Sequence, residues 1–213
     1  MKKLNEIGLE CGTDKSTITH GYLDTYEQYL GSWREKEFVL LEIGVAAGNS
    51  LRMWREYFPL AKVYGIDINE DCKGYIDGVH IGSQTDTIFL DKLFSEIGIP
   101  DIIVEDGSHV GQDMIDTFKY IFPKMKSGGL YFLEDTHCLF SEHYSGQFEG
   151  NGRTKAYNFF TDLPYHINVA GRGMCGSQDF CIEHPSTEPP VPEFSRILSA
   201  MHIHCGLWIF ERK

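Results

Sequence analysis

Short apolar runs alternate with segments of helical spacing through the first two thirds of this 213-residue chain. The apolar runs predict five strands, at residues 38–44, 62–68, 79–82, 101–106 and 130–134. Helices are predicted between them at 49–57, 89–97 and 112–121. Because strands that alternate with helices form βαβ units, we expect an α/β protein with a doubly wound, mostly parallel sheet.

The alternation stops after residue 138. A short helix is predicted at 154–161, ended by Pro164, and strands at 197–204 and 207–211 are predicted to form a C-terminal hairpin. The segment 139–196 is too long for a plain connection, so we interpret it as an insertion that covers the substrate. The chain length itself predicts one domain, residues 1–213.

Composition narrows the function classes. A net charge of −12 repels phosphate backbones and argues against a nucleic-acid partner. No apolar run is long enough to span a membrane, and the start of the chain lacks the apolar core of a signal peptide. The six cysteines are scattered and form no Cys-x-x-Cys pair, so we expect reduced thiols and a cytoplasmic protein.

Ligands of open parallel sheets bind beyond the carboxyl ends of the strands, so the residues that follow each strand matter most. The first strand ends in Glu42-x-Gly44-x-x-x-Gly48, and Asp67 ends the second. Glycine permits close backbone approach, and a carboxylate in the position of Asp67 suits two ribose hydroxyls. A dinucleotide fingerprint needs glycine where this chain has Ala46. The alternative is a tight turn of another α/β protein, with Asp67 as a helix cap.

A second group of polar residues follows strands four and five. Asp106-Gly-Ser-His109 and Glu134-Asp135 bring three carboxylates to neighbouring strand ends, where their repulsion requires a cation. Oxygen ligands favour Mg²⁺, Mn²⁺ or Ca²⁺ over zinc, and His109 is positioned to remove a proton. The alternatives are that Asp106 and Ser108 only cap the next helix and that Glu134-Asp135 is a solvated loop.

Longer strings carry a more specific resemblance. Leu40–Gly48 followed by Tyr64-Gly-Ile-Asp67 resembles motif I and the second-strand acid of class I S-adenosylmethionine methyltransferases. The ordered set that extends this resemblance is Gly12-Thr-Asp-Lys15, His20-Gly-Tyr22, Ser50-Leu-Arg-Met-Trp54, Asp106-Gly-Ser-His109 and Glu134-Asp135. Together these strings resemble the metal-dependent sugar O-methyltransferases of the mycinamicin and macrocin type.

The resemblance implies a seven-stranded Rossmann-like fold, and an N-terminal segment, residues 1–36, that closes over the site. It implies S-adenosylmethionine and Mg²⁺ or Mn²⁺ as cofactors, with Asp106, Glu134 and Asp135 as metal ligands and His109 as the catalytic base. The expected cofactor contacts are Glu42, Gly44, Gly48, Ser50, Asp67, Ser83, Gln84 and Asp106, of which Ser83 and Gln84 follow strand three, where adenine would lie.

The sequence thus predicts an O-methyltransferase whose acceptor is a small molecule or glycan with a free sugar hydroxyl. A catechol-like diol as acceptor, an NAD-dependent oxidoreductase and a catalytically inactive nucleotide-binding subunit are the alternatives. Ala46 argues against the oxidoreductase, and the retained acidic groups argue against the inactive subunit. A homo-oligomer is possible on the sequence alone.

Overall fold

The computed structural model describes residues 2–169 and 192–213 of the chain. Its seven strands are β1 (Val39–Ile43), β2 (Lys62–Asp67), β3 (Val79–Ile81), β4 (Ile102–Glu105), β5 (Leu130–Leu133), β6 (Leu198–His204) and β7 (Leu207–Arg212). They form one sheet in the order β3-β2-β1-β4-β5-β7-β6. The first five strands are parallel, and β7 pairs antiparallel with both β5 and β6. The predicted fold class, with its antiparallel C-terminal hairpin, is therefore confirmed.

Helices cover both faces of the sheet. They are α1 (Leu4–Cys11), α2 (Leu23–Leu30), α3 (Asn49–Tyr57), α4 (Thr87–Ile97), α5 (Gly111–Ile121), α6 (Glu142–Ser145) and α7 (Lys155–Val169). Short 3₁₀ turns lie at Gly31–Trp33, Glu70–Gly74, Phe122–Lys124, Thr136–Phe140 and Glu193–Arg196. Local chemistry explains the clearest boundary: Asp86 caps α4 by accepting hydrogen bonds from the backbone N–H groups of Ile88 and Phe89.

Alternate residues of each buried strand supply two separate cores. On β1, Leu41 and Ile43 pack with α4, α5 and α7, whereas Leu40 packs on the opposite face. The second face is covered by α1, α2 and α3, with Tyr26 and Trp54 among its fully buried rings. Because side chains of a strand alternate between faces, helices on both sides require the continuous apolar runs seen in the sequence.

Two features of the helices differ from the sequence predictions. The helix predicted at 154–161 continues to Val169 with Pro164 inside it. Proline removes one backbone hydrogen bond, but Phe160 and Leu163 are fully buried against the core, and that packing offsets the loss. Helices α1 and α2 were not predicted at all, and they place the N-terminal segment against α3.

The predicted insertion is described only in part. Residues 139–169 contain α6, α7 and the end of a 3₁₀ turn, and residues 170–191 lie outside the described part of the chain. Its role as a cover for the substrate therefore stays a prediction. Within residues 2–169 and 192–213, the structure has no helix that combines the length and the apolar character needed to cross a membrane.

Candidate active site

The carboxyl ends of the parallel strands meet at one edge of the sheet, as the sequence predicts. Backbone bonds keep the strand ends in register: the N–H of Asp106 donates to Ile43, and the N–H of Glu134 donates to Glu105, each at 2.9 Å. A cavity of about 380 Å³ opens there, and a smaller one of about 160 Å³ adjoins it. Gly44, Asp67 and Gly107 line both cavities, so the two spaces form one continuous cleft.

Gly44, which follows β1, lies directly against the backbone of Asp106, which follows β4. Its φ is +89°, and a Cβ at this position would lie 1.9 Å from the backbone oxygen of Asp106. Backbone cannot move aside as a flexible side chain does, so only glycine fits here. The first glycine of the predicted motif therefore lets the β1 loop and the Asp106 loop share one edge of the cleft.

Asp67 holds the loop that follows β1. Its Oδ2 accepts hydrogen bonds from the N–H groups of Val45, at 2.8 Å, and Ala46, at 3.2 Å, while Oδ1 accepts from Asn69 at 2.8 Å. Burial opposes ionisation, but these N–H donors outweigh it and hold the pKa of Asp67 below its usual value. An ionised carboxylate thus lies between the two cavities.

A buried lysine stands at the centre of the acidic residues. Lys15 is 1% exposed, and its Nζ contacts Asp106 Oδ2, Glu134 Oε2 at 2.8 Å and Glu42 Oε1 at 3.3 Å. Burial alone would lower the pKa of Lys15, but the three carboxylates raise it well above its usual value. Lys15 is therefore a charged ammonium that ties together the ends of β1, β4 and β5.

The loop between α1 and α2 presents this lysine. Within the loop, His20 donates its backbone N–H to the carbonyl of Asp14 at 3.0 Å, and Tyr22 donates to the carbonyl of Lys15 at 2.9 Å. Asn49, at the start of α3, donates from Nδ2 to the carbonyl of Gly12 at 3.0 Å. These hydrogen bonds hold the loop over the carboxyl ends of the parallel strands.

Glu134 is satisfied by partners from the N-terminal segment. Its Oε1 accepts the hydroxyl of Tyr26 at 2.5 Å, and its Oε2 accepts from Lys15. Burial raises the pKa of Glu134 well above its usual value, although Lys15 opposes that effect. Three acidic side chains, Glu42, Asp106 and Glu134, thus surround the single Lys15 ammonium.

Asp106, His109 and Asp135 form a more accessible group at the cavity. His109 Nε2 lies 3.9 Å from Asp106 Oδ1 and 3.7 Å from Asp135 Oδ2. One ligand atom from each residue lies within 4.8 Å of the other two, a spacing that a metal ion can bridge. All three line the larger cavity. Two of the three predicted metal ligands thus join the predicted base, and Glu134 lies deeper, across Lys15.

Asp135 is held on its other side by the N-terminal segment. The Tyr22 hydroxyl donates to Asp135 Oδ1 at 2.9 Å, and His20 Nδ1 lies 4.0 Å from the same atom. The His20 and Tyr22 rings stack with centroids 5.1 Å apart. Oδ2 of Asp135 is left facing His109.

Glu42 lies below the larger cavity, and its hydrogen-bond partner Ser50 lines that cavity. Glu42 is fully buried, and Ser50 donates its hydroxyl to Glu42 Oε2 at 2.8 Å. Burial raises the pKa of Glu42 to about 7 against the opposing effect of Lys15. Ser50 also lines the cavity, whereas Gly48 begins α3 with a φ of +74°. Their place as cofactor contacts stays a prediction.

The two residues predicted at the adenine edge have different environments. Ser83 lines the smaller cavity and contacts Thr85, with the two hydroxyls 3.0 Å apart. The amide of Gln84 is engaged internally, because its Nε2 donates to Glu105 Oε1 at 2.7 Å and its Oε1 accepts the N–H of Ser108 at 2.9 Å. Gln84 therefore braces the loop that carries Asp106 and His109.

Sequence reasoning gave no role to Lys15, Tyr22 or Tyr26. Lys15 and Tyr22 stand in the strings Gly12-Thr-Asp-Lys15 and His20-Gly-Tyr22, which contributed to the resemblance. A lysine between an aspartate and a serine in a polar stretch carries no local sign of burial. That string in the resemblance was the signal that pointed to it.

The sequence of the chain is similar to those of known methyltransferases. The chain is 31% identical to the 8-demethyl-8-α-L-rhamnosyl tetracenomycin-C 2′-O-methyltransferase of Streptomyces olivaceus, over 97% of this chain and 54% of the relative. It is 33% identical to the mycinamicin VI 2″-O-methyltransferase of Micromonospora griseorubida, over 68% of this chain and 38% of that protein. No family model matches the chain.

A solved structure agrees with the sequence relatives. The MycE methyltransferase of the mycinamycin pathway, determined with Mg, SAH and mycinamycin VI, superposes with a TM-score of 0.83 at 26% identity. The match covers 99% of this chain and 53% of that chain. The chain spans about half the length of the curated relatives it matches most fully.

The chain has the fold of the class I S-adenosylmethionine-dependent methyltransferases. Its homologues are sugar O-methyltransferases of the mycinamicin and tetracenomycin type, which confirms the resemblance to the mycinamicin type seen in the sequence motifs.

Proposed function

We propose that this protein is an S-adenosylmethionine-dependent O-methyltransferase that acts on a sugar hydroxyl with the help of a divalent cation. The observation that carries the proposal is the meeting of Asp106, His109 and Asp135 at a cavity bordered by the Gly44 loop. An acidic metal site and a base next to a glycine loop suit transfer of a methyl group to oxygen.

The cleft suits the methyl donor. Asp67 is ionised between the two cavities, where it would accept ribose hydroxyls, and the Gly44 loop allows close approach of a ligand. Ser83 and the apolar side chains of Ile66 and Ile68 line the smaller cavity, where the base of the donor would lie. Together these residues would orient the donor, and such alignment can contribute ~7–11 kcal/mol to the rate.

The donor set suits a hard divalent cation. Asp106 and Asp135 offer carboxylate oxygens at the cavity, and three acidic side chains surround the single Lys15 ammonium. We propose Asp106, Asp135 and Glu134 as ligands of Mg²⁺ or Mn²⁺. A bound cation supplies Lewis acidity, which lowers the pKa of a hydroxyl of the acceptor.

His109 is proposed as the base. Its ring lines the cavity, its side chain is 28% exposed, and its Nε2 lies within 4 Å of two carboxylates. The imidazole would accept the proton of the sugar hydroxyl while the hydroxyl oxygen takes the methyl group and the sulfur of the donor leaves as a neutral thioether. Asp106 and Asp135 then stabilise the imidazolium that forms.

The N-terminal segment, residues 1–36, is proposed to cover the site. Lys15, Tyr22 and Tyr26 each contact an acidic residue at a strand end, so this segment already lies over the sheet edge. A sugar acceptor is supported by the relatives, because their names describe enzymes that methylate 2′ and 2″ oxygens of glycosylated compounds.

The test is a methyl-transfer assay with S-adenosylmethionine and a panel of glycosides, nucleotide sugars, glycans and catechols. We expect a glycoside or glycan to be methylated, the activity to be lost in chelator, and added Mg²⁺ or Mn²⁺ to restore it. Full activity in chelator would refute the metal site. Methylation confined to catechols would replace the sugar acceptor by the alternative diol.

A further inference from the structure

The Lys15 ammonium contacts carboxylate oxygens that a metal ion bound by Asp106 and Glu134 would also need. Oδ2 of Asp106 accepts a hydrogen bond from the Lys15 ammonium, and only Oδ1 of Asp106 faces His109. Oε2 of Glu134 accepts a hydrogen bond from Lys15 and Oε1 accepts one from Tyr26, so both carboxylate oxygens already have a donor. One ammonium therefore occupies oxygens of two proposed ligands.

The ammonium is buried inside this cluster. Lys15 is 1% exposed, and its three contacts reach carboxylates at the ends of three adjacent strands. Buried carboxylates without a counter-charge are costly, so this side chain stabilises the acidic strand ends when no metal is bound. A divalent ion that takes the same oxygens meets the repulsion of the ammonium at short range.

We propose that Lys15 is an internal cation that competes with the divalent ion for Asp106 and Glu134 and thereby weakens metal binding. This inference rests on the metal site of the proposed function. It predicts that Lys15 keeps the apo protein folded and makes metal occupancy depend on the ion concentration. Lys15 also connects metal binding to the loop between α1 and α2, because that loop carries the ammonium.

Mn²⁺ binding to the purified protein, followed by electron paramagnetic resonance, tests the competition. Lys15→Met removes the ammonium and keeps an unbranched apolar stem, and we expect it to bind Mn²⁺ roughly tenfold tighter or more. The thermal midpoint of Lys15→Met should also rise with Mn²⁺ by more than that of the wild type. Equal or weaker Mn²⁺ affinity in Lys15→Met would overturn the inference.

A charge-matched variant distinguishes competition for specific carboxylate oxygens from a general effect of the charge near the metal site. At about pH 8, above the pKa of about 7 of Glu42, Lys15→Met combined with Glu42→Gln removes one positive and one negative charge, so the cluster keeps its total charge. Glu42 contacts Lys15 but does not belong to the Asp106, His109 and Asp135 group. Tighter Mn²⁺ binding by the double variant supports competition for specific oxygens, whereas wild-type affinity would contradict it.

The wild type offers a measurement that needs no variant. The Lys15 ammonium, being buried, should exchange slowly with water and be visible among the lysine side-chain resonances in a ¹⁵N NMR spectrum. That resonance should shift as Mg²⁺ saturates the protein, and an unchanged resonance in the Mg²⁺-bound protein would overturn the inference. If the wild type binds neither Mg²⁺ nor Mn²⁺, the proposed function fails together with the inference; if it binds them and Lys15 is indifferent, only the inference fails.

Discussion

His109 combines a chemical role with an unusual backbone. Its φ is +57°, in the left-handed region that costs most side chains free energy, and Asp135 has a φ of +50°. The strained backbone directs both side chains into the cavity. A substitution at His109 must therefore respect its conformation as well as its chemistry.

We predict that His109→Asn loses ~10²–10⁴ in turnover because the amide cannot accept the proton. Asparagine tolerates positive φ, so the loop should keep its shape. Binding of S-adenosylmethionine and of Mn²⁺, measured by calorimetry, should be unchanged. Loss of Mn²⁺ binding would instead make His109 a metal ligand, and unchanged turnover would remove it from the mechanism.

The sequence could identify the site residues that follow predicted strands, but not the partners that reach them from afar. Asp106 and Asp135 were predicted at the sheet edge because strand ends converge in a parallel sheet. Lys15 contacts Asp106 and Glu134 across separations of 91 and 119 residues. No local periodicity encodes a contact at that range, so the central cation was missed.

At the scale of elements, the strands and the helices that follow them were predictable and the N-terminal helices were not. Long apolar runs and the helical spacing of α3, α4 and α5 give strong signals. Helices α1 and α2 have eight residues each, and no side-chain hydrogen bond caps the start of α2. Helix α1 packs on α3 and α2 packs on α1, and this tertiary packing, which the sequence alone does not display, stabilises both helices.

The junction of β1 and β4 yields an element-scale prediction. Gly44→Ala places a Cβ against the backbone of Asp106 and should destabilise the fold by roughly 1–3 kcal/mol beyond the cost of its positive φ. S-adenosylmethionine binding should weaken as the two loops separate. Urea unfolding and calorimetry measure the two effects.

Gly98→Ala is the matched control for that experiment. Gly98 has a φ of +86°, close to that of Gly44, but a Cβ there meets nothing within 4 Å. With a ψ of 168°, Gly98 has a conformation that glycine adopts far more readily than other residues, so Gly98→Ala should lose roughly 1–3 kcal/mol for the backbone conformation alone and keep its cofactor affinity. Equal losses in both variants would contradict the close contact between the strand ends.

At the scale of the whole molecule, buried acids set the dependence of stability on pH. Burial raises the pKa of Glu105 to about 7, although Gln84 opposes it, and Glu105 Oε2 is buried without a hydrogen-bond partner among the described residues. A group whose pKa is higher in the folded state favours folding at low pH, and that contribution is lost as pH rises through the folded value.

We therefore predict that the free energy of unfolding falls between about pH 4.5 and 7 by up to about 3 kcal/mol from Glu105. Glu42, raised to about 7 by burial, acts with the same sign. Glu105→Gln cannot ionise and should flatten the profile in urea unfolding from pH 5 to 8. A variant profile as steep as that of the wild type would assign the slope to other groups.

Three residues other than glycine have left-handed backbones in the described part of the chain: Ala46, His109 and Asp135. All three line the larger cavity. In a saturation mutagenesis library, Val, Ile and Thr should therefore be depleted at these positions even under selection for folding alone. The substitutions that these positions tolerate will therefore reflect the backbone conformation as well as the catalytic role. At His109 and Asp135 both constraints will act together.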